Sequence, residues 1–271
     1  ATAAGADLIP AMKSCIANSA HGPVLLARAV RVCGMIGGNE AEELLLGWFN
    51  YPDRQVQTEV LAALKMCGYR GRGEHYAALR QKIEETVGNA VWIMAALADL
   101  SAQKELDFLV AALGSELDSN RRRIFLLLSL IYEPRYMQLV SESFQSGSGD
   151  GKVYALELID VFVARELKNL LFPMLEDLSL NMRLKRLGSF CPHQRLEPVD
   201  RIKDIANCEF TRVNRWTRVC ALYALGRLPG RQVADELVAH LFNPDPVLRQ
   251  TAAQSVHEMD RAALTAHATK L

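Results

Sequence analysis

The stretch that decides the fold is NPDPVLRQTAAQSVHEM, residues 243–259. Pro244 and Pro246 fix φ and lack the N–H that a helix interior needs. Asp245 between them offers the carboxylate of an N-cap, and Pro246 suits the first helical position. Leu248, Ala252, Val256 and Met259 then recur at steps of four, four and three, which is one face of a helix. Ala252 and Ala253 add little bulk, so a second helix can approach closely. The segment reads as a sharply started helix built to pack on other helices.

The same plan recurs elsewhere in weaker form. NYPDRQVQTEVLAALKM (50–66) has the same turn chemistry, then Val56, Val60, Leu61 and Leu64 on one face. GPVLLARAVRVCGMIGG (22–38) begins with Pro23 and ends in Gly34, Gly37 and Gly38, and RWTRVCALYALGRLPG (215–230) is closed by Gly226, Pro229 and Gly230. Glycine past a helix end supplies a positive φ cheaply. Periodicity predicts further helices near 40–49, 74–87, 89–100, 103–117, 120–132, 134–145, 151–163, 165–178, 180–189, 197–207 and 231–242. SGSGDG (146–151) reads as a flexible connector, and SFCPHQRLEP (189–198) as the clearest irregular interruption. No stretch combines strand alternation with hairpin turns.

Helix, short turn, helix, returning every roughly 30–45 residues, is the rhythm of a helical solenoid. One hairpin cannot bury its apolar face alone, and stacking makes the core continuous. The expected fold is all-α: a right-handed α-solenoid of helical hairpins, an alpha-alpha superhelix. It forms a single domain over residues 1–271, with an irregular interruption near 189–212. An irregular all-α globule is the alternative, kept open by poor spacing between residues 165 and 212.

The chain has 271 residues, half of them hydrophobic, and a formal net charge of zero. Neutrality gives no default attraction to nucleic acid or an anionic membrane. The apolar runs AVWIMAALA (90–98) and IFLLLSLIY (124–132) fall short of the roughly 20 residues that cross a bilayer. No secretory pattern opens the sequence. It starts without methionine, as an excised piece of a larger protein would. The six cysteines, Cys15, Cys33, Cys67, Cys191, Cys208 and Cys220, show no CxxC spacing and read as small buried thiols in a reducing compartment. The expected location is the cytoplasm, at the cytoplasmic face of a membrane if the chain belongs to a larger protein.

DPVLRQTAAQSV and TRVCALYALG resemble the D-P-x-x-x-V-R-x-x-A-A-x-A-L-G consensus of HEAT-like repeats, including the phycobilisome-lyase type. Leu248-Arg249 and Thr217-Arg218 stand where Val-Arg is usual. A more particular resemblance runs through IFLLLSLIYEP (124–134), YALELIDVFVARELKNLLFPMLEDLS (154–179) and RWTRVCALYALGRL (215–228). These stretches look like the helical-repeat region of bacterial proteins in which the repeats adjoin an ADP/ATP-translocase-like membrane domain, a cyclic-nucleotide-binding domain, or both. The resemblance implies HEAT-like hairpins and an interaction or regulatory role. HEAT-like DNA glycosylases imply a nucleic-acid-binding alternative, and bilin lyases a remoter one.

Searching for chemistry yields little. No HExxH, P-loop or G-x-S-x-G occurs. Cys191 and His193 share a loop, but zinc needs two more ligands, and a thiol–imidazole pair needs a third group and an oxyanion site. No catalytic residue, metal or cofactor is expected, and the chain reads as a non-enzyme.

Its candidate residues are instead those of a binding surface. Glu157 and Asp160 lie three apart in the otherwise apolar YALELIDVFV, forming either an acidic spot or ties to arginines of the next repeat. Arg212, Arg215, Trp216 and Arg218 combine arginine with tryptophan, a frequent hot-spot pairing, against the alternative of a core tryptophan and snorkelling arginines. NRRR (120–123) is expected to open a helix, where positive charge opposes the helix dipole. Second helices of the hairpins, starting near 24, 54, 89, 120, 151, 213 and 246, are expected to line the concave face. Arg123 and Arg218 would then flank a groove between the 120–132 and 213–227 helices. Asp245 and Arg249, one turn apart, are expected to pair. The expected partner is a protein segment or a neighbouring domain of the parent chain; nucleic acid is disfavoured, and membrane insertion of this segment is not expected.

Overall fold

The computed structural model describes residues 8–17, 22–145, 148–228 and 233–259. Among them are fourteen α-helices, one short 3-10 turn at Lys104–Leu106, and no strand. The protein is all-α. None of these helices is long and apolar enough to cross a membrane. The Pro229–Gly230 stop, His21 and His267 lie outside the described residues, as do residues 146–147 of the glycine–serine stretch. The chain divides into two compact units, one of Ala1–Ala90 with Ser119–Cys191 and the other of Val91–Asp118 with Pro192–Leu271.

The first unit opens with α1 (Ile9–Ala17), α2 (Pro23–Ile36), α3 (Asn39–Gly47) and α4 (Arg54–Met66). Pro23 starts α2, and Gly37 and Gly38 end it at φ 67° and 84°, where a side chain would be strained. Asp53 caps α4, its Oδ1 accepting from the amides of Gln55 and Val56 at 2.9 and 3.0 Å. Leu26, Val30 and Cys33 of α2 and Val56, Val60 and Leu64 of α4 are buried as the two helices pack together. Closeness depends on Gly34: a Cβ there would stand 2.7 Å from the Ala63 Cα.

Two long helices follow, α5 (Glu74–Leu100) and α6 (Asp107–Ile131). Each replaces two expected helices. Gly88 keeps an ordinary helical φ inside α5, and Ser119-Asn120 runs on inside α6, where the Asn89 amide donates to Asn120 Oδ1 at 3.3 Å. NRRR therefore stands in the middle of a helix and meets no helix N-terminus. Arg70 closes the end of α6, its Nη1 donating to the carbonyls of Ser129 and Tyr132 at 2.6 and 2.8 Å. The unit is completed by α7 (Pro134–Gln145), α8 (Gly149–Phe162), α9 (Arg165–Leu175) and α10 (Leu180–Leu187). Ser148 caps α8, its Oγ accepting from the Gly151 amide at 3.0 Å, so the second half of SGSGDG begins a helix.

The second unit contains α11 (Pro198–Asn207), α12 (Arg215–Leu225), α13 (Asp235–His240) and α14 (Pro246–Met259), with the end of α5 and the start of α6. The helix expected near 197–207 is present as α11, inside the interruption expected near 189–212. Features of the first unit return here. Asp245 caps α14, its Oδ1 accepting from the amides of Val247 and Leu248, as Asp53 does for α4. A Cβ on Gly226 would stand 2.5 Å from the Ser255 Cβ, as one on Gly34 would crowd Ala63, and at the same separation along the chain. Asp245 pairs with Arg215 at 3.4 Å, whereas Arg249 donates to the Asn243 carbonyl. The expected Asp245–Arg249 pair does not form, because capping turns the carboxylate toward the start of its own helix.

A buried ion cluster also holds this unit. Arg201, 2% exposed, meets Asp99 and Asp204 at 2.8 Å each and donates to the Gln194 carbonyl at 2.7 Å. The indole of Trp92 donates to Asp204 at 3.0 Å, and the buried Glu116 accepts from the Asn214 amide at 2.6 Å and from the Thr217 hydroxyl at 3.1 Å. The ties made by Trp92, by Glu116 and between Asp99 and Arg201 span 98 to 112 positions of sequence. A plain stack of hairpins has only nearest-neighbour contacts.

Candidate functional site

Helices α8 and α9 of the first unit build a groove of about 610 Å³. The inner face of α8 buries Ala155 and Ile159. Its outer face carries Val153, Glu157, Asp160 and Val161, at steps of four, three and one, all exposed. Helix α9 contributes Phe172, and Glu176 stands just past its end. The result is an apolar surface with three carboxylates on it and, among the described residues, no lysine or arginine in the lining.

Two of the carboxylates are held from outside. Lys168 reaches Asp160 Oδ1 at 2.9 Å, and Arg186 bonds Glu176 Oε2. Glu157 has no hydrogen bond or ion pair among the described residues. Val161, at 72% exposed, is the most open large apolar side chain described. The sequence pair Glu157 and Asp160 is therefore brought onto one surface. The arginine tie considered for Asp160 is instead a lysine from the following helix. Val153, Val161 and Phe172 escaped the sequence reading. Their signal was the helical spacing of Val153 and Val161 around the two carboxylates.

The other candidates part company. Arg123 lies in the interior of the first unit, where it donates to Gln57, and burial lowers its guanidinium to about 10. Arg218 is buried in the second unit. Its Nε donates to the Ala206 carbonyl at 3.1 Å, and its cation stands 4.0 Å over the Phe210 ring. Neither presents a charge to solvent, so neither can flank the expected groove.

Trp216 is the reverse case. It occupies the second position of α12 and is 64% exposed, not core. Beside it Arg215 pairs with Asp245, and Arg212 lies 5.3 Å over the Trp92 ring. Phe210, half exposed, adds a second open aromatic to this part of the second unit. A further hollow in that unit, about 530 Å³ and lined by Glu105, Glu197 and Asp200 among others, contains none of the sequence candidates.

All six cysteines are free thiols. Burial raises Cys33 and Cys220 to about 11 and Cys208 to about 12, and it raises Cys191 as well. Such thiols stay protonated at neutral pH and are poor nucleophiles. Among the described residues, no three His, Cys, Asp or Glu side chains stand where they could hold a metal ion. No family model, curated protein or solved structure matches this chain.

Proposed function

We propose that this chain is a non-catalytic helical-repeat module that holds a protein segment, from a partner or from a neighbouring domain of its own parent chain. The observation that carries this reading is the α8–α9 groove. It leaves Val153 and Val161 open to a partner, beside the half-buried Phe172 and a carboxylate without a counter-charge. The repeat reading is supported by the equivalence of Gly34, Asp53 and Ala63 with Gly226, Asp245 and Ser255, which keep the same order and spacing. HEAT-like hairpins in a right-handed α-solenoid are the arrangement we assign to it, with the Asp99–Arg201 and Glu116–Asn214 ties added to the nearest-neighbour contacts of a plain stack. Membership of a larger bacterial, membrane-associated or transporter-like protein rests on the sequence resemblance at 124–134, 154–179 and 215–228.

A photo-crosslinking residue placed at Val161 tests the interaction reading. It should label one dominant polypeptide or a neighbouring domain, while the same residue at the exposed Gln250 does not. Equal labelling at the two positions, or none at 161, would overturn it.

A second reading, nucleic-acid binding, draws on the exposure of Trp216 and Phe210 near Arg212 and Arg215. The zero net charge weighs against it. Submicromolar, salt-sensitive retention of duplex DNA or RNA on a filter, lost in Trp216→Ala, would replace the first reading with this one.

A further inference from the structure

We infer that the α8–α9 groove takes an amphipathic helix whose apolar stripe is flanked by lysine or arginine. This deepens the interaction reading and rests on it. Charge selects the occupant. Three carboxylates line the groove and, among the described residues, no lysine or arginine does. Lys168 and Arg186 each engage one oxygen, leaving Asp160 Oδ2, Glu176 Oε1 and the whole Glu157 carboxylate for an incoming cation. An acidic segment would set like charges together, and a purely apolar one would desolvate Glu157 without a partner.

Shape selects a helix. Val153, Glu157, Asp160 and Val161 repeat along one helical face, so the apolar and acidic positions recur at the spacing another helix presents. Helix α8 has 14 residues, about 21 Å at about 1.5 Å per residue, which matches about four turns of a partner. Apolar side chains at i, i+4 and i+7 would pack against Val153, Val161 and Phe172. A base beside that stripe would meet Glu157.

The test is a selection. A display library of four-turn helical peptides, with a fixed leucine stripe and randomised flanking positions, is panned against the full chain and then against Glu157→Lys. Lysine and arginine should be enriched beside the stripe. The selected peptides should bind Glu157→Lys about tenfold more weakly, and Glu157→Gln by a smaller factor. Their binding to the wild-type chain should weaken with added salt. Val161→Ser should weaken binding without changing the preference for basic residues. Glu157 and Val161 are exposed, so both variants should melt like the parent. Retention that is indifferent to peptide charge, or equal binding to Glu157→Lys, overturns the basic-helix assignment and leaves the interaction reading standing. Retention of no peptide at all overturns the groove as a helix site and removes the observation on which that reading rests.

Discussion

Arg201 is the side chain whose loss should cost most. Its removal leaves the buried Asp99 charge without a counter-ion, and breaking such a pair typically costs about 3–5 kcal/mol. Arg201→Met is expected to lower the urea midpoint sharply, and adding Asp99→Asn should recover part of the loss. Arg123→Glu and Arg218→Glu each bury a carboxylate and remove the hydrogen bond to Gln57 or to the Ala206 carbonyl, so both should destabilise. Circular dichroism melts check both; an unchanged melting temperature would return these arginines to the surface role the sequence suggested. His240 gives a pH signature. Burial first, and then the nearby Arg218, hold its imidazole below the ordinary value of about 6.5, so the fold keeps it neutral. The unfolded chain binds the proton more readily. Stability from this group is complete above the unfolded value and is lost as pH falls below it, through the window down to the folded value. Urea midpoints measured from pH 8 downward should decline in that window, and His240→Gln should remove that component.

Between helices, Gly34 and Gly226 leave no room for a Cβ. Alanine at either forces backbone to move, and overpacking of this kind costs about 1–3 kcal/mol. Gly226→Ala should be partly rescued by Ser255→Gly, which clears the Cβ it would strike; additive losses would show that the close approach lies elsewhere. Asp53→Ala and Asp245→Ala each remove an N-cap and should cost about 1 kcal/mol. These helix starts were readable in the sequence because capping is local chemistry, settled within a few residues. The long helices were not. Gly88 costs about 1 kcal/mol against alanine and looks like a stop, but packing overrides propensity within α5. At the site, Glu157 and Asp160 were readable from their spacing alone. Whether Trp216 faces inward depends on which neighbours reach it, and no local pattern encodes that. Nor does one encode Arg201 with Asp99, which lie 102 positions apart.

Each compact unit is assembled from two separate stretches of chain, because Val91–Asp118 belongs with Pro192–Leu271 while the residues on either side of it belong elsewhere. A fragment covering 192–271 would lack Trp92, Asp99 and Glu116, the partners of Asp204, Arg201 and Asn214. It should fail to give a cooperative transition alone. Supplying a 91–118 peptide in trans should restore some helical signal; a fragment that melts cooperatively by itself would refute the division. The same interleaving sets a schedule for the ribosome. Asp99 leaves the exit tunnel 102 residues before Arg201, a wait of roughly 5–20 s at about 5–20 residues per second. For that interval Ile93, Leu109 and Leu113, all buried in the finished protein, belong to a unit whose second stretch has yet to emerge. Holdase occupancy on stalled nascent chains should therefore peak over this stretch and fall once α12 has emerged.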